Sequence, residues 1–268
     1  MEQHGENPQQ LVIAVIPARY SSVRLPGKML LDITGKPLIV HTLEQARKAK
    51  TVSRVIVATD DDRIFDAVTM AGGEAVMTSA DHASGSDRIA EVAQVLPENS
   101  IIVNVQGDEP MISPGTIDAA VLALIDDSSA DIATTCEPIT EKWSELLNGN
   151  VVKVVTNDDG FAQYFSRSPM PFPREASLRH GGDPGRAIDE EPELLSIFRK
   201  HTGLYAYRRE YLLKFTKLPQ SKLEKIEMLE QLRALGNGAR IKVVEVKDCS
   251  VGVDTAEDLA RVRRLMED

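Results

Sequence analysis

Three basic side chains without an acidic neighbour follow the first apolar run of the chain. They are Arg19, Arg24 and Lys28, and the apolar run Leu11–Pro17 leads directly into them. Such a run predicts a strand buried on both faces, and ligands of open α/β sheets bind beyond the carboxyl ends of these strands. Ser21 and other small residues of the loop permit close approach of the backbone, so the loop can wrap a triphosphate. The alternative is a solvated surface loop with scattered charges.

This basic loop differs from two common nucleotide-binding motifs. In a Walker A motif the lysine precedes Ser or Thr, whereas Lys28 precedes Met29, and Ser22 stands in place of the first glycine. The segment also lacks the GxGxxG pattern of dinucleotide-binding proteins. The loop therefore indicates neither a P-loop NTPase nor a dinucleotide-dependent oxidoreductase.

Two aspartates follow predicted buried strands. Asp108 comes after Ile101–Val105 in the segment QGDEP, and Asp254 comes after Ile241–Val246 in the segment SVGVD. Because the carboxyl ends of parallel strands meet at one sheet edge, both carboxylates should lie near the basic loop. Mg²⁺ in nucleotide sites takes one or two carboxylates together with phosphate oxygens. Each aspartate alone could be an ordinary turn or helix-start residue, but their shared placement favours a metal pair.

One predicted helix, Ser221–Gly236, carries polar side chains on a common face. It opens with the capping-box pattern S-x-x-E and ends at a glycine. Glu224, Glu227 and Gln231 fall within an arc of roughly 60° at 100° per residue. This stripe can be the wall of a site or the solvated side of the helix, and periodicity alone favours the solvated side.

Three further polar side chains lie in or after a predicted β-hairpin. Arg167 follows the second strand of the hairpin, and His201 and Tyr205 flank the segment TGL. His201 and Tyr205 are by themselves more typical of packing residues than of ligands. Arg167 could equally form a surface ion pair.

Strands and helices alternate over the first half of the chain, which implies right-handed βαβ units and a mostly parallel central sheet flanked by helices. The predicted strands are Leu11–Pro17, Arg54–Thr59, Glu74–Thr78, Ile101–Val105 and Asp131–Thr135. After residue 150 we predict a hairpin of Val151–Thr156 and Phe161–Phe165, and a long mobile loop over 168–195. The chain should end with a strand and the helix Thr255–Met266. We expect residues 1–10 to be a disordered tail and 11–268 to form a single domain with an excursion at about 150–215.

The composition excludes several classes of protein. The chain has 268 residues, with 31 Lys and Arg against 41 Asp and Glu, so its formal net charge of −10 argues against a nucleic-acid partner. Cys136 and Cys249 lack metal-site spacing and are expected to be reduced thiols. Neither a signal-peptide core nor an apolar run of membrane-spanning length is present. We therefore expect a cytoplasmic protein without a membrane partner.

Six segments together resemble one enzyme family, the 3-deoxy-manno-octulosonate (Kdo) cytidylyltransferases. They are IPARYSSVRLPGK (16–28), NVQGDEP (104–110), YFSRSPMPFPR (164–174), RKHTGLYAYR (199–208), LEKIEMLEQLR (223–233) and GVDTAEDL (252–259). The resemblance covers about residues 11–265. The related sialic acid synthetases usually continue the basic loop with KN instead of LPGK. The segment after Arg174 departs from the family in being long and rich in glycine and acidic residues.

The resemblance implies a Rossmann-like nucleotidyltransferase fold, a homodimer formed largely through the hairpin excursion at 150–215, and Mg²⁺ as cofactor. By similarity, the catalytic residues are Lys28, Arg19 and Asp108. The implied nucleotide-binding residues are Arg19, Ser21, Arg24, Lys28, Ser84, Gly85, Ser86 and Gln106. The implied sugar-binding residues are Gln106, Arg167, His201, Tyr205, Glu230 and Gln231, although the helix geometry favours Gln231 over Glu230. The implied metal ligands are Asp108 and Asp254.

The reaction implied by the resemblance is transfer of CMP from CTP to the anomeric hydroxyl of Kdo, with release of pyrophosphate, for lipopolysaccharide biosynthesis. Two alternatives remain open on the sequence. The chain could activate a related acidic sugar, such as 8-amino-Kdo or a sialic-acid-like sugar. It could also be a sugar-nucleotide-binding regulator without catalysis, although the two aspartates and Lys28 argue against that.

Overall fold

The structure is a computed structural model that describes residues 10–22, 24–248 and 251–267. The predicted disordered tail falls almost wholly on residues outside these ranges. The strands are β1 Val12–Ala18, β2 Asp32–Ile33, β3 Lys36–Pro37, β4 Arg54–Thr59, β5 Glu74–Met77, β6 Ile101–Asn104, β7 Ile132–Pro138, β8 Lys153–Thr156, β9 Ala162–Ser166, β10 Arg199–Arg208 and β11 Ile241–Glu245.

Ten α-helices lie within the described ranges, together with short 3₁₀ turns over 28–30 and 192–197 and a π turn over 142–146. The helices are α1 Leu38–Ala46, α2 Asp62–Met70, α3 Gly85–Ala93, α4 Pro114–Asp126, α5 Arg174–Arg179, α6 Pro184–Glu190, α7 Arg209–Phe215, α8 Lys222–Glu227, α9 Gln231–Gly236 and α10 Ala256–Glu267. None of these described helices combines the length and the apolar character that crossing a membrane would require.

A single large sheet organises the fold, in the order β11-β7-β10-β6-β1-β4-β5. β1 pairs in parallel with β4 and β6, β4 with β5, and β11 with β7. β10 is antiparallel to both of its neighbours, β6 and β7, so the other six strands of this path run in one direction. The predicted α/β fold with a mostly parallel central sheet is confirmed. The predicted hairpin is also present, as β8 and β9, and it joins the sheet through β10.

The core consists of two apolar layers, one on each face of the sheet. Along β1, Val12, Ala14 and Ile16 pack into one layer, and Ile13 and Val15 into the other. This alternation follows from the two-residue period of a strand. Since β1 is covered on both faces, its sequence reads as the continuous apolar run from which the strand was predicted.

The central antiparallel strand β10 is absent from the sequence predictions. Its first half, Arg199–Gly203, is polar and only partly buried, whereas Leu204–Tyr207 is buried. The register against β7 shifts between His201 and Tyr205, which marks a bulge, and Gly203 adopts a φ of 80° there. The polar half and the bulge hide the strand from a period-two search of the sequence.

The prediction of an unstructured loop over 168–195 is wrong. This segment contains α5, α6 and the 3₁₀ turn at 192–197. Asp183 caps α6 by accepting hydrogen bonds from the Gly185 and Arg186 amides at 2.8 and 3.1 Å, and Pro184 occupies its first turn. Ile188 packs into a small cluster with Ile139, Leu146 and Phe198. The helices have six and seven residues, too few to display a helical period in the sequence. The mobility of the segment stays a prediction.

The predicted continuous helix at 221–236 is also wrong. The capping box of Ser221 and Glu224 is present, but the helix ends at Glu227, and Met228 adopts a left-handed φ of 54° before α9 begins. The 100°-per-residue relation between Glu224, Glu227 and Gln231 therefore does not hold across the break. A tertiary contact stabilises this corner, because Arg167 donates to the Glu227 carbonyl at 2.7 Å.

A buried ion pair holds α8 against α9. The Arg233 guanidinium contacts the Glu224 carboxylate in a bidentate manner, with Nε to Oε2 at 2.9 Å and Nη2 to Oε1 at 2.6 Å. The two residues are only 7% and 4% exposed. A buried pair of this kind contributes little net free energy, yet removal of one partner leaves an uncompensated buried charge.

We predict that Glu224→Ala lowers the free energy of unfolding by about 3–5 kcal/mol, because the Arg233 charge stays buried without its partner. The matched control is Glu44→Ala, which removes an exposed ion pair with Lys36 and should cost about 0–1 kcal/mol. Urea unfolding at one fixed protein concentration measures both values. Equal losses for the two variants would contradict the importance of the buried pair.

Candidate active site

A cleft of about 640 Å³ opens beyond the carboxyl ends of β1 and β6. Parallel strands of an α/β sheet present their ligand sites at this edge. The predicted residues that line the cleft are Arg19, Ser21, Arg24, Lys28, Ser84, Gly85, Gln106, Asp108 and Asp254. The structure thus brings together both metal candidates and all predicted nucleotide-binding residues except Ser86.

The basic loop folds back on itself around the Tyr20 ring. Gly27 adopts a φ of 67°, its amide donates to the Tyr20 carbonyl at 3.3 Å, and a Cβ there would lie 3.2 Å from the ring. The Arg63 guanidinium stacks on Tyr20, 3.4 Å from the ring centroid. Both the left-handed backbone and the close contact with the ring therefore favour glycine at position 27. Val23 lies outside the described residues.

Lys28 lies between the two predicted metal ligands. Its Nζ atom is 2.7 Å from Asp108 Oδ2 and 3.0 Å from Asp254 Oδ1, and Arg24 Nη2 is 3.0 Å from Asp254 Oδ2. Burial lowers the pKa of Lys28, but attraction by Asp108 and Asp254 outweighs burial and raises the pKa above its ordinary value. The ammonium is therefore charged at neutral pH.

The paired carboxylates fit a magnesium ion. Oxygens of both aspartates already approach one cation, the Lys28 ammonium, so their arrangement accommodates positive charge. Backbone geometry supports the convergence, since the Val253 amide donates to the Asp108 carbonyl at 2.9 Å. Among the residues that the structure describes, no group of three or more His, Cys, Asp or Glu side chains could hold a metal. Two carboxylates completed by phosphate oxygens and water form a typical Mg²⁺ site.

The first turn of α3 and the residues just before it form another wall of the cleft. Ser84 caps α3 by accepting from the Asp87 amide at 3.2 Å, and a Cβ at Gly85 would lie 3.4 Å from the Pro17 ring. Arg88 also lines the cleft, although it is only 4% exposed, and its Nη2 lies 2.8 Å from Asp60 Oδ2. The sequence analysis missed Arg88. Asp60, at the end of a predicted buried strand, is the signal that could have pointed to it.

His82 is a second cleft-lining residue that the sequence analysis missed. Its Nε2 contacts the Glu91 carboxylate, which also accepts from the Ser79 amide at 3.0 Å. The contact with His82 and the Ser79 amide lower the pKa of Glu91. No local sequence pattern marks His82, because only the fold brings it to the cleft.

Gln106 connects the cleft to the bulge of β10. Its Nε2 atom lies 3.4 Å from the Gly203 carbonyl and 3.3 Å from Asn104 Oδ1. Beyond the bulge, His201 Nε2 lies 2.8 Å from Thr134 Oγ1. The His201 ring also packs against Tyr205 at a centroid distance of 5.1 Å. Burial lowers the pKa of His201 to about 3, so the ring is neutral and can only exchange hydrogen bonds.

Glu230 faces this aromatic region, contrary to the expectation from an unbroken helix. Its Oε2 accepts a hydrogen bond from Ser86 Oγ at 2.5 Å, and the nearby carboxylate contributes to raising the pKa of Tyr205 and Tyr207, after burial. Gln231, the residue favoured by the helix geometry, is 7% exposed. Because the helix breaks at Met228, Glu230 and Gln231 do not continue the face of Glu224 and Glu227, and Glu230 contacts Ser86.

Arg167 is bound to the backbone of two other segments. Its guanidinium donates to the carbonyls of Glu227 at 2.7 Å and Gly149 at 2.9 Å. Arg167, His201, Tyr205, Glu230 and Gln231 are not among the described residues that line the cleft. Of the predicted sugar-binding residues, all of which the structure describes, Gln106 is the one that lines the cleft.

Comparison with known proteins identifies the family. The profile of the cytidylyltransferase family matches residues 13–241. The 3-deoxy-manno-octulosonate cytidylyltransferase of Syntrophotalea carbinolica is 50% identical over 254 residues, which cover 94% of this chain and 96% of the relative. The protein of the same name from Trichlorobacter lovleyi is 47% identical over 260 residues, covering 96% and 98%.

Solved structures agree with the sequence comparison. A CMP:2-keto-3-deoxy-manno-octonic acid synthetase complexed with CTP matches with a TM-score of 0.85 and 43% identity, over 96% of this chain and 99% of that one. A 4-diphosphocytidyl-2C-methyl-D-erythritol synthase from Anaerococcus prevotii matches with a TM-score of 0.62 and 12% identity, over 97% and 100% of the two chains, which shows a shared fold alone. The chain belongs to the 3-deoxy-manno-octulosonate cytidylyltransferase family.

Proposed function

We propose that this chain transfers CMP from CTP to the anomeric hydroxyl of Kdo and releases pyrophosphate, which supplies CMP-Kdo for lipopolysaccharide biosynthesis. The observation that carries this proposal is the cleft in which Lys28, Asp108 and Asp254 converge beside the basic loop. Near-complete coverage of relatives named for this activity supports the choice of substrates.

The reaction joins two anions, so the site must neutralise and align charge. The anomeric oxygen forms a bond to the α-phosphorus while the bond between that phosphorus and the bridging oxygen breaks, in line, and pyrophosphate leaves. Arg19 and Lys28 bind the phosphates and stabilise the departing pyrophosphate, and Arg24 and Ser21 support them. The hydroxyl proton passes to solvent, because no residue of the cleft has to act as a general base.

We further propose that Asp108 and Asp254 hold Mg²⁺ when CTP is bound. The ion would supply polarisation of the α-phosphate. Lys28 now neutralises the same two carboxylates. Its ammonium would then be available to the phosphates, which keeps the charge of the site balanced.

The proposed sugar subsite comprises Gln106, Arg167, His201, Tyr205, Glu230 and Gln231. Its chemistry suits a polyhydroxylated acid: Gln106, His201 and Tyr205 exchange hydrogen bonds, and Glu230 accepts them from hydroxyl groups. The positive charge of Arg167 attracts the carboxylate of the sugar acid. Related acids such as 8-amino-Kdo or a sialic-acid-like sugar share these features and remain the competing substrates, and a regulator without catalysis is the competing class.

We also propose a homodimer formed through the excursion at about 150–215. Phe172 and Leu178 expose 57% and 58% of their surface there, and Trp143, which precedes the excursion in sequence, exposes 73%. Aromatic side chains such as Phe and Trp are enriched at protein interfaces. A second copy of the chain is the proposed partner. The net charge of −10 argues against nucleic acid, and the use of CTP favours the cytoplasm.

We predict that the purified protein releases pyrophosphate only when a nucleotide and a sugar acid are both present, and fastest with CTP and Kdo. A coupled pyrophosphate assay with CTP, ATP, GTP and UTP, each with Kdo, 8-amino-Kdo or N-acetylneuraminate, measures this. The pair of CTP and Kdo should give the highest kcat/KM. A higher kcat/KM with another acid would identify that acid, instead of Kdo, as the substrate. No pyrophosphate release with any pair would favour a sugar-nucleotide-binding regulator without catalysis.

We predict that Asp108→Asn and Asp254→Asn each reduce turnover by roughly a hundredfold to ten-thousandfold, since each removes a charged ligand of one ion. The double variant should lose much less than the product of the single losses, because both act through the same ion. Asp126→Asn, at the exposed end of α4, is the matched control and should be unaffected. Multiplicative losses, or full activity in EDTA, would count against a shared Mg²⁺.

We predict that Phe172→Asp and Leu178→Asp weaken the dimer, because a buried charge at an interface replaces apolar contact. A hot-spot loss of at least 2 kcal/mol corresponds to about a thirtyfold rise in the dimer Kd. Sedimentation equilibrium measures the association state. Met70→Asp, an 88% exposed residue at the end of α2, is the control and should leave the dimer intact. A wild-type monomer at micromolar concentration would contradict the proposed dimer.

A further inference from the structure

The Ser86 side chain points away from the cleft that its neighbours line. Ser84 and Gly85, the two preceding residues, line the cleft, whereas Ser86 is 4% exposed. Its Oγ donates to Glu230 Oε2 at 2.5 Å, across a sequence separation of 144 residues. The start of α3 therefore faces the proposed nucleotide cleft through Ser84 and Gly85. It contacts Glu230, on the proposed sugar side, through Ser86.

Glu230 is held in a defined position by its surroundings. Ser86 binds one carboxylate oxygen, and Arg233 Nη2 lies 3.9 Å from the other, Oε1. Arg233 is in turn fixed by its bidentate contact with Glu224. The Glu230 side chain keeps 32% of its surface exposed, so its remaining lone pairs are open to a ligand.

We infer that Ser86 is a positioning residue for the sugar acid, acting through Glu230, and that it does not bind the nucleotide. This inference rests on the proposed function, since it assigns Ser84 and Gly85 to CTP and Ser86 to the sugar acid. The hydroxyl donates a charge-assisted hydrogen bond that fixes the orientation of the Glu230 carboxylate. A mobile glutamate would lose side-chain entropy when it bound the sugar, and the fixed carboxylate avoids that loss. The fixed carboxylate accepts hydrogen bonds from sugar hydroxyls.

A fixed negative charge also orients the sugar acid. Glu230 repels the carboxylate of the substrate and attracts its hydroxyl groups, so the acid group must point away from Glu230. The Tyr205 and Tyr207 rings stack on each other, 5.7 Å between their centroids, and lie near Glu230. The stacked rings limit movement of the Glu230 side chain on that side. Loss of the Ser86 hydroxyl should therefore weaken use of the sugar without altering the wall formed by Ser84 and Gly85.

The test is Ser86→Ala, with each substrate varied while the other is saturating. A charge-assisted hydrogen bond is worth about a tenfold to hundredfold change in an equilibrium constant. We expect the KM for Kdo to rise by that factor and the KM for CTP to change by less than about twofold. Ser84→Ala provides the contrast, because Ser84 lines the cleft and its loss should raise the KM for CTP instead.

A double-mutant cycle with Glu230→Gln shows whether Ser86 acts through Glu230. Ser86→Ala should add little to the loss that Glu230→Gln causes alone. A rise in the KM for CTP with an unchanged KM for Kdo would overturn the inference, as would losses that multiply in the double variant. Equal effects on both substrates with a lowered Tm would reduce Ser86 to a structural residue and overturn it as well.

Failure of the proposed function would give a different result. If the wild-type protein uses another sugar acid, the choice of Kdo fails, and the same Ser86→Ala comparison with the acid that is used still decides the inference. If the wild-type protein has no transferase activity, calorimetric titration still measures the Kd of CTP and the Kd of Kdo separately. The titrations are made with the wild-type protein and with Ser86→Ala. Weaker Kdo binding with unchanged CTP binding would support the inference, and the reverse would overturn it.

Discussion

The Lys28 ammonium, held between Asp108 and Asp254, joins three parts of the chain that are distant in sequence. The contacts span 80 and 226 residues and connect the basic loop after β1, the turn after β6 and the segment before α10. Each segment follows a strand or precedes a helix at one edge of the sheet, so the cluster depends on the parallel arrangement of the strands. The protein carries a net negative charge, and these contacts hold cations at the place where an anionic substrate would bind.

The antiparallel strand β10 supplies the other half of the proposed site. It lies between β6 and β7, and its bulge places the Gly203 carbonyl against Gln106 and the His201 ring against Thr134. A bulge beside a site redirects side chains that a regular strand would alternate strictly. The cleft and the proposed sugar region are thus built on neighbouring strands, so one sheet edge could align the two proposed substrates.

Buried charge networks connect these two regions to the helices behind them. Arg88 pairs with Asp60 at the wall of the cleft, and Arg233 pairs with Glu224 next to Glu230. Both arginines are more than nine-tenths buried, so each needs its carboxylate to remain in the core. Such pairs contribute more to the position of the site residues than to net stability, because desolvation offsets most of their attraction.

Local sequence rules determined a large part of this protein. The apolar run of β1 and the polar segments after β6 and β11 predicted the sheet edge and placed Lys28, Asp108 and Asp254 there. The capping box of Ser221 predicted the start of α8. These features depend on a few adjacent residues, so a single sequence displays them. The six matching segments indicated the family, which the comparisons confirmed.

Tertiary structure alone decided the insertion of β10, the short helices of 174–190, the break at Met228 and the contact of Ser86 with Glu230. Each of these depends on partners far along the chain. Met228 adopts its left-handed backbone beside carbonyls that Arg167 binds from another segment, and Ser86 meets a residue 144 positions away. Periodicity and capping patterns report the conformational preference of a single helix or strand. These features instead follow from packing between elements, which no local pattern encodes.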